Sequence, residues 1–210
     1  MSDFTKISVS SAVMALSVAF ASHASAAIPV SGVTTSSTFS TYNSINLING
    51  SGLSGALHDG NFTNKWLADT DDVTPTLTFD LGDLFNLTDT VIWNYGGGCC
   101  GAERNVNRLN IMGSTNGSTF ASLGSFALSD PTSASFGGDT LTLSGVARYI
   151  RFDILSNRGD PNYTGLSEVQ FNGVNAAVPE PATWAMMILG MGLVGASIRR
   201  RKVRTTLSFS

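Results

Sequence analysis

The chain has 210 residues and a formal net charge of −3, which includes a strongly basic C-terminal tail. Between residues 27 and 178 there are six basic against thirteen acidic side chains, so this part carries a net charge near −7. Nucleic-acid binding depends on clustered Lys and Arg, so this acidic composition argues against nucleic acid as a partner. About 150 residues are enough for one ordinary domain with its own hydrophobic core.

The N-terminus has the order of features that secretion requires. Lys6 provides a positive charge, an uncharged apolar run extends from Val9 to Ala21, and Ala24-Ser25-Ala26 offers a small-residue cleavage site. We predict a signal peptide over residues 1–26, removed by cleavage after Ala26. The alternative is an uncleaved anchor helix, for which the apolar run is shorter than the ~20 residues that a membrane span requires.

The C-terminus combines an apolar stretch with a basic cluster. Ala182 to Ile198 contain no charged residue, and Arg199 to Arg204 follow with five of the twelve basic side chains. Positive charge stays on the cytoplasmic side of an inserted helix. We therefore predict a transmembrane helix over 182–198, with the preceding domain outside.

This end of the chain resembles the PEP-CTERM sorting signal over residues 179–204, because Pro179, Glu180 and Pro181 precede the apolar stretch and the arginines. In that family the signal occurs in Gram-negative bacteria that make exopolysaccharide, and an exosortase-type membrane enzyme cuts near Pro-Glu-Pro. The resemblance implies that these three residues are recognition residues. It also implies sorting at the inner membrane, followed by residence at the cell surface or in the extracellular matrix. A permanent single-pass anchor is the alternative.

The middle of the chain has the period-2 pattern of half-buried strands. The alternating apolar runs are Leu77 to Leu81, Val91 to Tyr95, Leu109 to Ile111, Ile150 to Ile154 and Val169 to Phe171. Asn116-Gly117 lies between strands and predicts a tight hairpin. These features predict an all-β fold, an antiparallel β-sandwich or jelly roll. A lead-in with a first strand over 27–43 precedes it, and a linker over 174–178 follows.

Residues 44–173 resemble a discoidin domain, also called a coagulation factor 5/8 type C domain. The matching segments are Asp59-Gly60-Asn61 with Trp66, Leu77 to Gly82, Ser114 to Phe120, Ala147 to Phe152, and Ser167 to Phe171. Phe120 stands where the family usually has Trp. The resemblance implies the galactose-binding-like jelly roll, whose members mostly bind glycans, lipids or proteins and rarely catalyse. It also places Trp66 in the core, the alternative being a sugar-stacking residue.

The discoidin resemblance further implies a structural Ca²⁺ site. Many bacterial members hold the ion between the loop before the Trp and a Glu near the last strand. The matching positions here are Asp59, Asn61, Asn64 and Glu168, and their oxygen atoms are the ligands that Ca²⁺ prefers. The alternative is that Asp59 to Asn61 form a simple turn and that Glu168 is a surface residue.

Cys99 and Cys100 are the only cysteines, and they are adjacent within a glycine-rich loop. In an oxidising exterior, neighbouring thiols can close into a vicinal disulfide, which flanking glycines accommodate. A metal or redox site is the weaker alternative, because zinc normally needs four ligands and His58 is the only histidine beyond the signal peptide.

Ligand sites in the discoidin family lie on loops at one rim of the fold. The candidates here are Arg104 and Asn105 after the strand that ends near Tyr95, and Asn157, Arg158, Asn162 and Tyr163 between the last two strands. Ordinary solvated loops are the alternative interpretation.

Together, these features predict an exported, non-enzymatic surface or matrix protein that binds polysaccharide or another glycan, such as exopolysaccharide. An adhesive matrix protein that binds protein partners is the alternative. A glycan hydrolase, which needs two acids flanking one bond, is a third hypothesis.

Overall fold

The computed structural model describes residues 25–97, 101–176 and 181–199. Within them the chain forms eleven β-strands and one α-helix. The strands are β1 (Ala26–Ile28), β2 (Gly32–Thr35), β3 (Leu53–Ser54), β4 (Leu57–His58), β5 (Trp66–Leu67), β6 (Thr76–Asn94), β7 (Val106–Ser114), β8 (Ala121–Ala127), β9 (Phe136–Gly137), β10 (Asp139–Asn157) and β11 (Gly165–Asn175). The helix is α1 (Pro181–Arg199), and single 3₁₀ turns cover Ser44–Leu47, Phe62–Asn64 and Ala102–Arg104.

Some of the predicted features fall outside the described residues. They are the signal peptide up to residue 24, the cysteine pair Cys99 and Cys100, and Pro179 and Glu180 of the sorting motif. These stay predictions.

The main sheet has the order β1-β11-β6-β10-β7-β8, with β2 also on β6 and β5 also on β11. Strands β6 and β10 have 19 residues each and pair with each other over two stretches. Residues 149–153 of β10 pair with residues 76–80 of β6, and residues 139–147 of β10 pair with residues 85–92 of β6. Register shifts interrupt β10 between these pairings, and such bulges bend a strand. Because both strands bend, their two halves contribute to different layers, and the antiparallel sheet folds over into a sandwich. This confirms the predicted fold class.

The core lies between the layers and follows the predicted alternation. Phe79 of β6, Phe152 of β10 and Phe171 of β11 are fully buried, with ring centroids 5.0 to 6.0 Å apart in tilted and edge-on arrangements. Aromatic pairs at such distances stabilise a core beyond the area that they bury. The period-2 pattern therefore identified the strand faces that these three residues occupy. It was wrong for the run from Val91 to Tyr95, where Ile92 is the residue that joins the main core.

Trp66 lies in the core, as the discoidin resemblance implied. Its side chain is 0% exposed, and its indole Nε1 donates to Thr38 Oγ1 at 3.2 Å. Because the ring has no free face toward solvent, stacking of Trp66 on a sugar is excluded.

A hairpin joins β7 and β8, as predicted, but its turn is longer than the tight one that Asn-Gly indicated. Residues 115–120 lie between the two strands, and of the Asn-Gly pair only Gly117 has a positive φ, of +73°. The Asn116 side-chain oxygen accepts from the backbone of Ser118 and Thr119 and thereby stabilises the longer loop.

The ends of the sandwich extend past the predicted boundaries. Val174 and Asn175 continue β11 and pair with β6, so the strand runs beyond residue 173, where we expected a linker to begin. On the other side of β11, Ala26 pairs with Gly173. The bond after Ala26, where we predict cleavage, is thus within β1.

The predicted C-terminal helix is present as α1, and its residues from Met186 to Arg199 are all exposed. The described part of the chain contains no helix with both the length and the apolar character that a membrane crossing requires. The membrane-spanning assignment of residues 182–198 stays a prediction.

Candidate functional site

Four loops meet at one end of the sandwich, and we call this surface the rim. It consists of residues 36–42, 69–74, 101–105 and 157–164. Backbone and side-chain hydrogen bonds join the loops: Asp69 N to Ser37 Oγ at 3.1 Å, Asp71 N to Asn162 O at 2.9 Å, and Asp160 N to Glu103 O at 3.1 Å. Loops far apart in sequence therefore form one continuous surface.

At the centre of the rim, Arg104 contacts both Asp160 and Tyr163. Its Nε donates to Asp160 Oδ2 at 2.9 Å, and its guanidinium carbon lies 4.8 Å from the centroid of the Tyr163 ring. Burial acts to raise the pKa of Asp160, but hydrogen bonds from the Asn162 backbone and from Arg104 outweigh it and hold that pKa below its usual value. Asp160 is therefore ionised, and it fixes the orientation of Arg104.

Aromatic side chains extend the rim away from Arg104. The Phe39 ring lies 5.1 Å from that of Tyr163 in an edge-on arrangement and 6.1 Å from that of Tyr42. All three rings are partly exposed. The rim borders a cavity of about 220 Å³ between Tyr42 and Phe62. A larger cavity, of about 380 Å³, lies away from the rim beside Ile48. The sequence analysis missed Phe39 and Tyr42.

The structure moves one predicted ligand residue into the interior. Asn105 is 0% exposed, and its side-chain oxygen accepts from Gly96 N at 2.7 Å while its nitrogen donates to Asp130 Oδ1 at 2.7 Å. Both ends of the amide are thus used by the fold. The assignment of Asn105 as a ligand-binding residue is corrected to a residue that organises the loops beneath the rim.

The other predicted residues are at the rim but differ in role. Asn157 donates to the carbonyls of Asp160 and Tyr163 at 2.7 and 2.9 Å, so it shapes the loop. Arg158 is exposed, and its guanidinium donates to the Leu128 carbonyl. Asn162 is exposed on the outer surface of the same loop. Ligand contact by these residues stays a prediction.

Backbone strain also marks the rim. Among the described residues, Ser40 and Asp71 are the non-glycine residues with left-handed backbone, at φ of 50° and 70°. Both lie on rim loops. Residues held in this sparsely populated region cluster at functional sites, because the surrounding structure must compensate for their cost.

Below the rim lies a buried amine that the sequence analysis did not identify. Lys65 is 2% exposed, and its Nζ donates to the Tyr95 carbonyl at 2.6 Å and lies 4.8 Å from the Tyr95 ring centroid. Burial lowers the pKa of Lys65 to about 8, against the raising effect of Asp59. Burial likewise raises the pKa of the Tyr95 hydroxyl to about 12, although its hydrogen bond with Arg104 lowers it. These two groups support the rim from inside.

The predicted calcium loop is a well-ordered turn. Asp59 Oδ1 accepts from Asn61 N at 3.0 Å, and Asp59 Oδ2 accepts from the Asn64 amide at 3.0 Å. The Asn61 side chain caps the following 3₁₀ turn by accepting from Thr63 N. His58 beside it is buried, with Nδ1 bonded to the Asp59 carbonyl. Turn formation therefore accounts for the contacts that this loop makes.

Glu168, the fourth predicted metal ligand, is buried and not a surface residue. It is 2% exposed, and its Oε2 accepts from Gly50 N at 3.1 Å. Burial raises the pKa of Glu168 to about 7, against the lowering effect of the Gly50 hydrogen bond. The next residue, Ser51, has a buried Oγ without a hydrogen-bond partner in the described part of the chain. Carboxylate oxygens are ligands that a hard cation prefers.

The same loop connects Glu168 to the Asp59 turn, because Gly52 O accepts from Asp59 N at 2.9 Å. In the part of the chain that the structure describes, no three His, Cys, Asp or Glu residues are grouped as a metal site. An ion would therefore depend on amide, hydroxyl and carbonyl oxygens besides these two carboxylates, as calcium sites commonly do.

Comparison with known families agrees with this architecture. Residues 32–169 match the F5/8 type C domain, and residues 177–202 match the PEP-CTERM protein-sorting motif. Both resemblances expected from the sequence are confirmed. Among curated proteins, none matches the chain significantly.

Solved structures show the same fold at low sequence identity. CBM32-3 from a family 31 glycoside hydrolase of Clostridium perfringens has 18% identity and a TM-score of 0.54, over 69% of this chain and 91% of that one. The family 32 CBM of C. perfringens NanJ, in complex with galactose, has 14% identity and a TM-score of 0.55, over 70% and 98%. An f-lectin from Morone saxatilis (striped bass) serum has 20% identity and a TM-score of 0.55, over 73% and 50%.

Proposed function

Because the chain belongs to the F5/8 type C domain family, we propose that its β-sandwich is a non-catalytic module that binds carbohydrate through the rim. The arrangement of Arg104, Asp160 and Tyr163 is the observation that carries this proposal. A partly exposed aromatic ring offers a face on which a sugar ring stacks, and an oriented guanidinium offers donors to its hydroxyls. Galactose and GalNAc-β-1,3-galactose in complexes of structural neighbours lend support to saccharides as the ligand class.

The rim is proposed to bind without catalysing. Asp160 is the carboxylate held at its centre, and its ion pair with Arg104 keeps it ionised, which does not suit a general acid. Glu103 is exposed to solvent on the neighbouring loop. A glycosidase would need one acid with a raised pKa facing a second carboxylate.

A glycan array with the full chain in mild detergent tests the proposal, with Arg104→Ala and Arg148→Ala as a matched pair. Arg148 repeats the chemistry outside the rim, since its Nε lies 2.9 Å from Asp80 Oδ1 and its guanidinium carbon 5.0 Å from the Tyr149 centroid. We expect Arg104→Ala to abolish retention on the bound glycans and Arg148→Ala to retain it. Equal retention by both variants would contradict the proposal.

We further propose that the chain is exported and sorted. The match to the PEP-CTERM motif supports recognition of Pro179, Glu180 and Pro181 by an exosortase-type enzyme at the inner membrane, followed by delivery to the surface or matrix of a Gram-negative cell. Mass spectrometry of the secreted form tests this. We expect the N-terminus at Ala27 and a new C-terminus near Pro-Glu-Pro, and alanine at all three motif residues should leave the tail intact.

A structural Ca²⁺ is proposed at the loop between Glu168 and Asp59, with Asn61 and Asn64 supplying further oxygens. The burial of the Glu168 carboxylate and the unpaired Ser51 hydroxyl support it. The ion would stabilise the loop that leads to Trp66. We expect Ca²⁺ to raise the unfolding temperature and EDTA to reverse the rise. An unfolding temperature that changes with neither Ca²⁺ nor EDTA would contradict the site.

A further inference from the structure

The charged side chains of the rim are unbalanced in sign. Five carboxylates face two guanidiniums, so the rim carries a net charge of −3. The acidic residues are Asp69, Asp71, Asp72, Glu103 and Asp160, and the basic residues are Arg104 and Arg158. This excess lies on the surface that we propose to bind carbohydrate.

The two guanidiniums are already engaged by the protein. Arg104 is ion-paired with Asp160, so their charges compensate each other. Arg158 donates from one amino group to the Leu128 carbonyl. The charge of Arg104 is thus compensated within the protein, and the single charge of Arg158 is left against the four other carboxylates of the rim.

Most of the remaining acidic charge is exposed. Asp69, Asp71 and Glu103 are all solvent-exposed, and none of them forms an ion pair within the described residues. Asp72 is partly buried, with its Oδ2 accepting from Ser36 and Ser37 at 3.0 and 2.6 Å. Three free carboxylates therefore set the potential at the rim.

The fold itself fixes the positions of these carboxylates. Thr70 Oγ1 lies 3.2 Å from the Tyr163 hydroxyl, and Asp71 N donates to Asn162 O, so the 69–72 segment borders the central tyrosine. Glu103 precedes Arg104 directly in sequence. An acidic group on a sugar stacked at Tyr163 would share this surface with several like charges, and exposed charges closer than the Debye length of about 10 Å at 0.1 M salt are screened incompletely.

We propose that the rim selects uncharged saccharides and rejects those that carry carboxylate or sulfate groups. The inference rests on the proposed carbohydrate-binding function and adds the substrate class to it. Selectivity of this kind comes from a repulsive element built against the competitor, here the exposed carboxylates, in addition to contacts with the accepted ligand. Arg104 then serves hydroxyl groups, because Asp160 compensates its charge.

Galactose and galacturonate are the probes, since they differ only in the carboxylate at C6. Titration of the full chain with both sugars is expected to give galacturonate binding about tenfold weaker than galactose at low salt. The difference should shrink at about 0.5 M salt, where the Debye length is only a few ångström. Equal or tighter binding of galacturonate would overturn the inference and leave carbohydrate binding intact.

Two double variants that remove the same number of charges at different places separate the effect of local charge from that of overall charge. Asp69→Asn with Asp71→Asn removes two rim carboxylates, and asparagine tolerates the left-handed backbone at position 71. Asp83→Asn with Asp89→Asn removes the same charge near the bend of β6, at the end away from the rim. We expect only the rim variant to narrow the difference between galacturonate binding and galactose binding, by several fold.

The outcomes are distinguishable. If both double variants, or neither of them, recovered galacturonate binding, the proposal that the rim carboxylates repel the ligand would be overturned, even if galactose binds. Failure of the chain to bind either sugar or any neutral glycan would refute the proposed function, and the inference with it.

Discussion

Replacement of Glu168 by glutamine tests the electrostatics of the calcium loop. Burial raises the pKa of this carboxyl from its usual 4.5 to about 7. A raised pKa means that the folded state holds the proton more tightly than the unfolded chain, so this contribution to stability is lost as pH rises from about 4.5 through about 7. The shift corresponds to about 3 kcal/mol of folding free energy at higher pH.

Glutamine removes the charge and keeps an oxygen that accepts from Gly50 N. In EDTA we therefore expect Glu168→Gln to have the same free energy of unfolding as the wild type at acid pH. Near pH 8 we expect the variant to be about 3 kcal/mol more stable than the wild type. The change in unfolding temperature would be about 6–12 °C for a domain of this size. Urea unfolding of both proteins across this pH range measures it, and the other carboxyls cancel in the comparison.

Calcium should reverse the order of the two proteins. The ion stabilises wild type by mass action, about 4.1 kcal/mol at a thousandfold excess over its dissociation constant, which exceeds the advantage of about 3 kcal/mol that glutamine has in EDTA. Glutamine lacks the charge that the ion requires. A difference between the proteins that does not vary with pH in EDTA would refute the reasoning about Glu168 burial.

Two further substitutions test the core and the loops beneath the rim. Phe152→Ala should cost about 3–5 kcal/mol in a urea titration, because it leaves a cavity against Phe79 and Phe171; a loss below about 1 kcal/mol would contradict the packing. Asn105→Ala should cost about 1–3 kcal/mol, because Gly96 N and Asp130 lose a buried partner. Asn107→Ala, at a partly exposed position, is the control. If Asn105→Ala lowered the free energy of unfolding no more than Asn107→Ala does, the role of Asn105 in organising the loops beneath the rim would be contradicted.

The sequence pattern was sufficient for most strand faces but not for all of them or for their continuity. The run from Leu77 to Leu81 faces the core as predicted, whereas in the second run the residue of the main core is Ile92, not Val91, Trp93 or Tyr95. The single strand β6 contains the first run and all of the second except Tyr95. Gly82, directly after the first run, has a φ of +81°, which is typical of a turn. β6 pairs with β10 on both sides of residues 81–84, and such long-range pairing has no local signature.

The same limit applies to the rim. Arg104 and Tyr163 were identified because the family places its ligand loops there, whereas Phe39 and Tyr42 reach the rim only through contacts with a loop more than a hundred residues away. Asn105 follows Arg104 in sequence, but its side chain points inward while that of Arg104 lies over Tyr163. Which neighbour faces the ligand depends on the tertiary path of the loop.

The most direct test of carbohydrate binding at the rim is a titration of the isotope-labelled full chain with galactose, followed residue by residue by NMR. We predict that shift changes concentrate on Tyr42, Arg104, Asp160 and Tyr163. Shift changes centred on Arg148 and Tyr149, with the rim unaffected, would contradict the account.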